Sequence, residues 1–175
     1  SGNAGRTMSA WVIPTSFEGR NWAQASIGGW GEPERGQKPN MGLSYFTMTG
    51  RGQPRFHLYG FDPRCDSLLP RNEWRHVALA VSGDMVRFYV DGILERTINN
   101  NGEEVRKLGT LRTPVSTAVD LGDHGNGRGP FNGALDEVRF ESVARSANWL
   151  KLCYENQKPL QLLVGPLVQD GDKFS

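Results

Sequence analysis

Short runs of alternating apolar and polar residues recur along the chain, broken by Gly, Pro, Asn and Asp. Such alternation turns one face of a strand toward a core and the other toward water. "RTMSAWVIP" reads as a strand ending at Pro14, and "NWAQASIGGW" as a second. "MGLSYFTMTG" and "PRFHLYGF" are two more, joined through "RGQ" as a hairpin, and "FDPRCDSLLPRNE" is a long connection. In "WRHVALAVSG", Val77, Leu79 and Val81 share one phase, and Trp74 and His76 the other. In "MVRFYVDG", Val86, Phe88 and Val90 oppose Arg87 and Tyr89. Asp91-Gly92 is a strong hairpin signal, with "ILERTIN" as the partner strand. "TAVDLGD" is a short strand and "FNGALDEVRFES" a longer one.

A single segment has helical character. Ser146 can cap it, and "ANWLKLCYENQ" runs toward Pro159. Trp149, Leu152 or Cys153, and Asn156 share a face there, with Trp149 expected as a core anchor. Many antiparallel strands with one late helix predict an all-β, two-sheet sandwich or jelly roll. Residues 1–157 are expected to form this domain, and 158–175 a final strand or a linker tail.

Composition narrows the class. A chain of 175 residues with 37% hydrophobic and 22% charged residues can bury one sizeable core. The 22 glycines and 10 prolines agree with many tight turns between short strands. A net charge of +1, with the basic residues scattered, gives no field that recruits nucleic acid or an anionic membrane. No apolar stretch is long enough to span a bilayer. The opening "SGNAGRTMSAW" lacks a basic segment followed by an apolar run, and reads as a chain cut from something longer. Cys65 and Cys153 permit one disulfide in an oxidising compartment; the alternative is two unrelated thiols.

One strand resists the pattern. In "FNGALDEVRF", strict alternation puts Asp136 on the same inward face as Val138 and Phe140, with Glu137 on the other. A buried carboxylate needs partners. A metal, a buried hydrogen-bond network and a catalytic acid would each explain it.

The ordered set "MSAWVIP", "EWRHVALAVSGDMVRFYVDGILERT" and "FNGALDEVRFESVARS" resembles the laminin-G-like, concanavalin-A-like family, in the branch common in secreted bacterial multidomain proteins. The similarity spans residues 7 to 154. Its most specific parts are Trp74 with His76-Val77-Ala78, Tyr89-Val90-Asp91-Gly92, and Gly133 to Val138. It implies a jelly roll of two antiparallel sheets, one of them concave, with a structural Ca²⁺ near Asp136 as a ligand. Such domains begin with a strand ahead of the "AWV" strand; "LQLLVG" near the C-terminus is a candidate to take its place.

Glu137 and Glu141 with Asp136 invite a glycosidase reading, which needs two carboxyls across one bond. Glycosidases on a similar jelly roll align their acids at alternating positions of one strand. Here Asp136 and Glu137 are adjacent and are expected to point opposite ways, so no catalysis is expected. Sugar binding needs an aromatic plane and planar polar groups. The candidates are Trp30 between glycines, His57 and Tyr59 on one strand, and Asp123, His124, Asn126 and Arg128 in the loop "GDHGNGRGPFN". Trp22 is expected in the core. The expectation is a secreted or cell-surface, non-catalytic module that binds carbohydrate, beside other domains of a longer parent chain. The rival is an adhesion or assembly module with a cell-surface protein as partner.

Overall fold

A computed structural model describes residues 4–17, 25–31, 43–58, 62–107, 119–123 and 129–158. The described strands form two antiparallel sheets, as expected. Sheet A runs in the order β11 (Gly133–Glu141), β1 (Arg6–Pro14), β6 (Arg75–Ser82), β7 (Met85–Val90), β8 (Ile93–Glu95). Sheet B runs β10 (Asp120–Leu121), β2 (Ser26–Gly31), β3 (Leu43–Met48), β4 (Pro54–His57), β5 (Arg64–Cys65), β9 (Thr97–Ile98). The helix α1 covers Ala147–Gln157, with the Ser146 side chain accepting from Trp149 N–H as its cap.

The alternating phases do what the sequence predicts. Met8, Ala10 and Val12 of β1, Val77, Leu79 and Val81 of β6, and Val86 and Phe88 of β7 face inward. They meet Ile27, Phe46, Met48, Phe56 and Cys65 of sheet B, and the Phe46 and Phe88 rings lie 6.4 Å apart across the core. The opposite phase of sheet A is covered by α1. There Leu150 is fully buried against Ala78, Ala80 and Tyr89. Burying one such leucine contributes about 2 kcal/mol.

The helix docks on a different face from the one expected. Leu150 is its buried residue, Trp149 only packs beside it, and Leu152 is exposed. The Arg145 guanidinium lies 4.3 Å over the Trp149 ring, which keeps that indole at the rim. Two features fix α1 on the sheet. Thr7 Oγ1 donates to Val143 O at 2.7 Å and accepts from Arg145 N at 2.9 Å, tying the segment before the helix to β1. Gly92, at φ +74°, lies so close that a Cβ there would stand 2.9 Å from Lys151 Cα.

"ILERTIN" is not one strand. β8 pairs with β7 in sheet A, while β9 pairs with β5 in sheet B, so the chain changes sheets at Arg96. The connection "FDPRCDSLLPRNE" supplies β5, a strand the alternation is too short to reveal. The Asp91-Gly92 turn is formed as expected, with both residues at positive φ.

Asp136 does not point inward. β11 pairs with β1 as Trp11↔Asp136 and Ser9↔Arg139, so Glu137 and Val138 together face Ala10. This is a β-bulge, with Glu137 in the left-handed region at φ +49°. The extra residue resets the phase. Leu135, Val138 and Phe140 pack against the core, and both Asp136 and Glu137 are exposed.

Cys65 and Cys153 are both free, which corrects the disulfide expectation. Cys65 lies buried in the core between the sheets, whereas Cys153 lies on α1, packed on the outer face of sheet A. Burial pushes the Cys65 thiol up to about 12. The segment 159–175, including "LQLLVG", lies outside the described residues, as does Trp22.

Candidate functional site

The bulge builds an open concavity of about 340 Å³ on the outer side of sheet A, lined by Trp11, Trp74, Asp136, Glu137 and Gln157. Four parts of the fold converge there. β1 supplies Trp11, the residue just before β6 supplies Trp74, and the bulge of β11 supplies both acids. The last turn of α1 supplies Gln157.

Each side chain is held by identifiable partners. Trp11 is nearly buried; its Nε1–H donates to Gln157 Oε1 at 2.9 Å, and its ring stacks on Tyr154 at 5.7 Å. Trp74 is 45% exposed, so its indole is the aromatic surface available to a ligand. Asp136 Oδ1 accepts from Glu137 N–H at 2.8 Å. Glu137 Oε2 takes the Arg139 guanidinium at 2.6 Å, with Gln157 Nε2 at 3.5 Å.

Beneath Trp11 lies His76, 2% exposed, its ring 5.5 Å from the Trp11 ring. Burial pushes its imidazole down to about 4; Asp91 partly opposes this and Arg139 adds to it. His76 is therefore neutral near pH 7. Its backbone N–H donates to Asp91 Oδ1 at 3.0 Å, and Asp91 Oδ2 takes Arg75 at 2.8 Å. The turn expected at Asp91-Gly92 is thereby tied to the backbone of β6.

The residues expected to bind ligand fare differently. Trp30 is half-buried and packs against the core, with its ring edge-on to Phe140 at 6.2 Å and the Arg6 guanidinium 5.8 Å from its centre. It is a packed ring, because Gly28 leaves room for Phe140 where a Cβ would come within 2.9 Å. His57 is buried on the outer face of sheet B, with Nδ1 3.0 Å from Asp62 Oδ1. Arg55 bridges the same carboxylate to Thr47 Oγ1. Burial works to raise the Asp62 carboxyl, but the His57 hydrogen bond and the Arg55 charge outweigh it and hold it below the usual range. Asp123 Oδ1 accepts from Gly129 N–H at 3.1 Å and clips the base of its loop. Tyr59, His124, Asn126 and Arg128 lie outside the described residues.

Among the described residues, the side-chain donors around Asp136 do not make the cage that the expected calcium would need. A hard cation of this kind takes six to eight oxygens. Asp136 has one oxygen committed to Glu137 N–H, and Glu137 is held by Arg139. Among the described residues no group of three or more His, Cys, Asp or Glu forms a cation cage.

The expectation that Asp136 and Glu137 face opposite ways also fails, because the bulge sends both into one concavity. Both are exposed, and Glu137 is tied to a guanidinium. Glu141, the third acid of that reading, is bound to Arg145 at 2.7 Å. No shielded pair of carboxyls results.

Fold and site together define a β-sandwich with an aromatic, acceptor-rich pocket on one outer face. The chain belongs to the concanavalin A-like lectin/glucanases superfamily, whose laminin G-like model matches residues 1–151. No curated protein matches the sequence. Among solved structures it is similar to domain 4 of an extracellular arabinanase from Geobacillus stearothermophilus in complex with arabinotriose, at 19% identity and TM-score 0.60, covering 86% of this chain and 66% of that one. It is also similar to the CBM40 of a Ruminococcus gnavus sialidase bound to α2,3-sialyllactose, at 17% identity and TM-score 0.59, covering 86% and 83%. A Trypanosoma rangeli sialidase matches at 19% identity and TM-score 0.58 over 89% of this chain but 24% of its own length. At these identities the likeness shows the fold. The chain spans less than two thirds of the first of these neighbours and about a quarter of the sialidase.

Proposed function

We propose that this chain is a non-catalytic carbohydrate-binding module and that the sugar sits in the Trp11–Trp74 concavity. The observation that carries the reading is the exposed Trp74 indole in one pocket with planar polar groups, Asp136, Glu137 and Gln157. An indole face packs on the C–H face of a sugar ring, and carboxylate and amide oxygens accept its hydroxyls. The family supports this, as do neighbours solved with arabinotriose and with sialyllactose. A non-catalytic role is supported by the engagement of Glu137 with Arg139 and of Asp136 with the bulge backbone. The small share of the sialidase that the chain covers supports a module within a larger protein, and the likeness to a domain of an extracellular arabinanase supports an extracellular one.

The test is a glycan array with the chain and its Trp74→Ala variant. Binding that the variant loses supports the reading. Binding that is unchanged in the variant, or a flat array, overturns it. A second reading, protein–protein assembly, is favoured by β8, which ends the order of sheet A with Ile93 and Leu94 more than half exposed. Cell-surface binding that Leu94→Lys abolishes, with a flat glycan array, would support that reading instead.

A further inference from the structure

We infer that the Trp11–Trp74 concavity selects sugars carrying a protonated amine and rejects acidic sugars. The inference rests on the carbohydrate reading above and names the ligand class of that site.

Among the described residues, the charged ones lining the cavity are Asp136 and Glu137. Glu137 is compensated by Arg139 at 2.6 Å, and Arg139 is drawn further toward α1 by its contact with Cys153 Sγ at 3.9 Å. Asp136 receives one backbone N–H and forms no ion pair among the described residues. Among the described residues it carries the uncompensated charge of the pocket.

A census of hydrogen-bonding capacity gives the same sign. Carboxylates only accept. The Gln157 amide is turned so that its oxygen takes Trp11 Nε1–H and its nitrogen faces Glu137. The Trp11 donor is therefore used, and the pocket offers mainly acceptors. The exposed Trp74 ring adds a face of negative quadrupole, which attracts cations. An ammonium donates three hydrogen bonds and is attracted by both features. A sugar carboxylate brings more acceptors and meets like charge. A neutral sugar falls between the two.

The experiment is calorimetric titration with three oligosaccharides of equal length: glucosamine, N-acetylglucosamine and a uronic acid. It is run at mildly acidic pH, in low and high salt, on the chain, on Asp136→Asn and on Trp74→Ala. The amine oligomer is expected to bind about five- to tenfold tighter than its N-acetylated counterpart. That advantage shrinks in high salt and falls to about twofold or less in Asp136→Asn. The uronate binds weakest, and Trp74→Ala loses all three. Asp136 is exposed, so a melting temperature unchanged in Asp136→Asn shows that the fold is intact. Trp74-dependent binding without preference for the amine, or with preference for the uronate, overturns the inference and leaves the proposed function standing. An amine preference that survives Asp136→Asn overturns it too. No Trp74-dependent binding of any sugar removes both.

Discussion

Gln157 Oε1 accepts the Trp11 indole N–H at 2.9 Å, joining the last turn of α1 to β1 across 146 positions of sequence. The same side chain reaches Glu137 with its nitrogen at 3.5 Å. One amide thus sets the Trp11 ring against the bulge. Gln157→Ala leaves the nearly buried indole N–H without this acceptor. The expected cost is about 1 kcal/mol, read by urea unfolding, with weaker glycan binding at the same time. Gln157→Glu restores an acceptor for the indole but sets a like charge beside Glu137, so it is expected to recover only part of the lost stability. Equal stability of Gln157→Ala and the parent chain would contradict this role.

The two tryptophans of the pocket are expected to separate binding from stability. Trp74 is 45% exposed and Trp11 is 9% exposed. Trp74→Ala should change unfolding free energy by about 0.5 kcal/mol or less while removing ligand binding. Trp11→Ala empties the space between His76 and Tyr154 and should cost about 3 kcal/mol or more. Denaturant titration beside calorimetry checks both. A large stability loss in Trp74→Ala would mean that its exposed face is structural.

The reach of the sequence is clearest at β11. Periodicity within a strand is a local property, so the phases of β6 and β7 were legible. The bulge was not. It depends on which residues of β1 stand opposite, and its left-handed position is filled by Glu137, where glycine would have been a signal. The same limit applies to "ILERTIN", whose halves choose different sheets through partners far away in sequence. Trp74 was legible as a family signature. Its role in a pocket required Gln157 and the bulge to be placed beside it. Nothing in the glycines beside Trp30 told that Gly28 makes room for Phe140 against its ring.

Stability is expected to fall with acid through His76. Its native value is about 4, against an ordinary 6.5. As pH falls below 6.5 the unfolded chain takes up a proton that the native chain refuses, so unfolding becomes easier. The loss is complete near pH 4, where the native imidazole also protonates, and amounts to about 3 kcal/mol. Asp62, held below its ordinary 3.8, adds its own loss only at lower pH. Urea unfolding of the parent chain and of His76→Phe between pH 7 and 4 separates the two. The variant should lose most of the slope above pH 4. An unchanged slope would assign it to other groups.

Glu137 is the extra residue opposite Ala10. Deleting it leaves Trp11 opposite Asp136, brings Val138 opposite Ala10 and keeps Ser9 opposite Arg139. Leu135, Val138 and Phe140 then alternate inward without interruption, and Asp136 stays outside. The deletion also removes a non-glycine residue at φ +49°, a conformation that costs about 1 kcal/mol, along with an exposed ion pair worth little. The shortened chain should therefore fold, with stability within about 1 kcal/mol of the parent. Removing Arg139 instead should be severe. That deletion turns Val138 outward and Glu137 inward, burying a carboxylate where a core side chain had been. Circular dichroism and urea unfolding of the two single-residue deletions decide the matter. Comparable damage from both would show that the bulge is required by the fold, rather than inserted into it to carry the acids of the pocket.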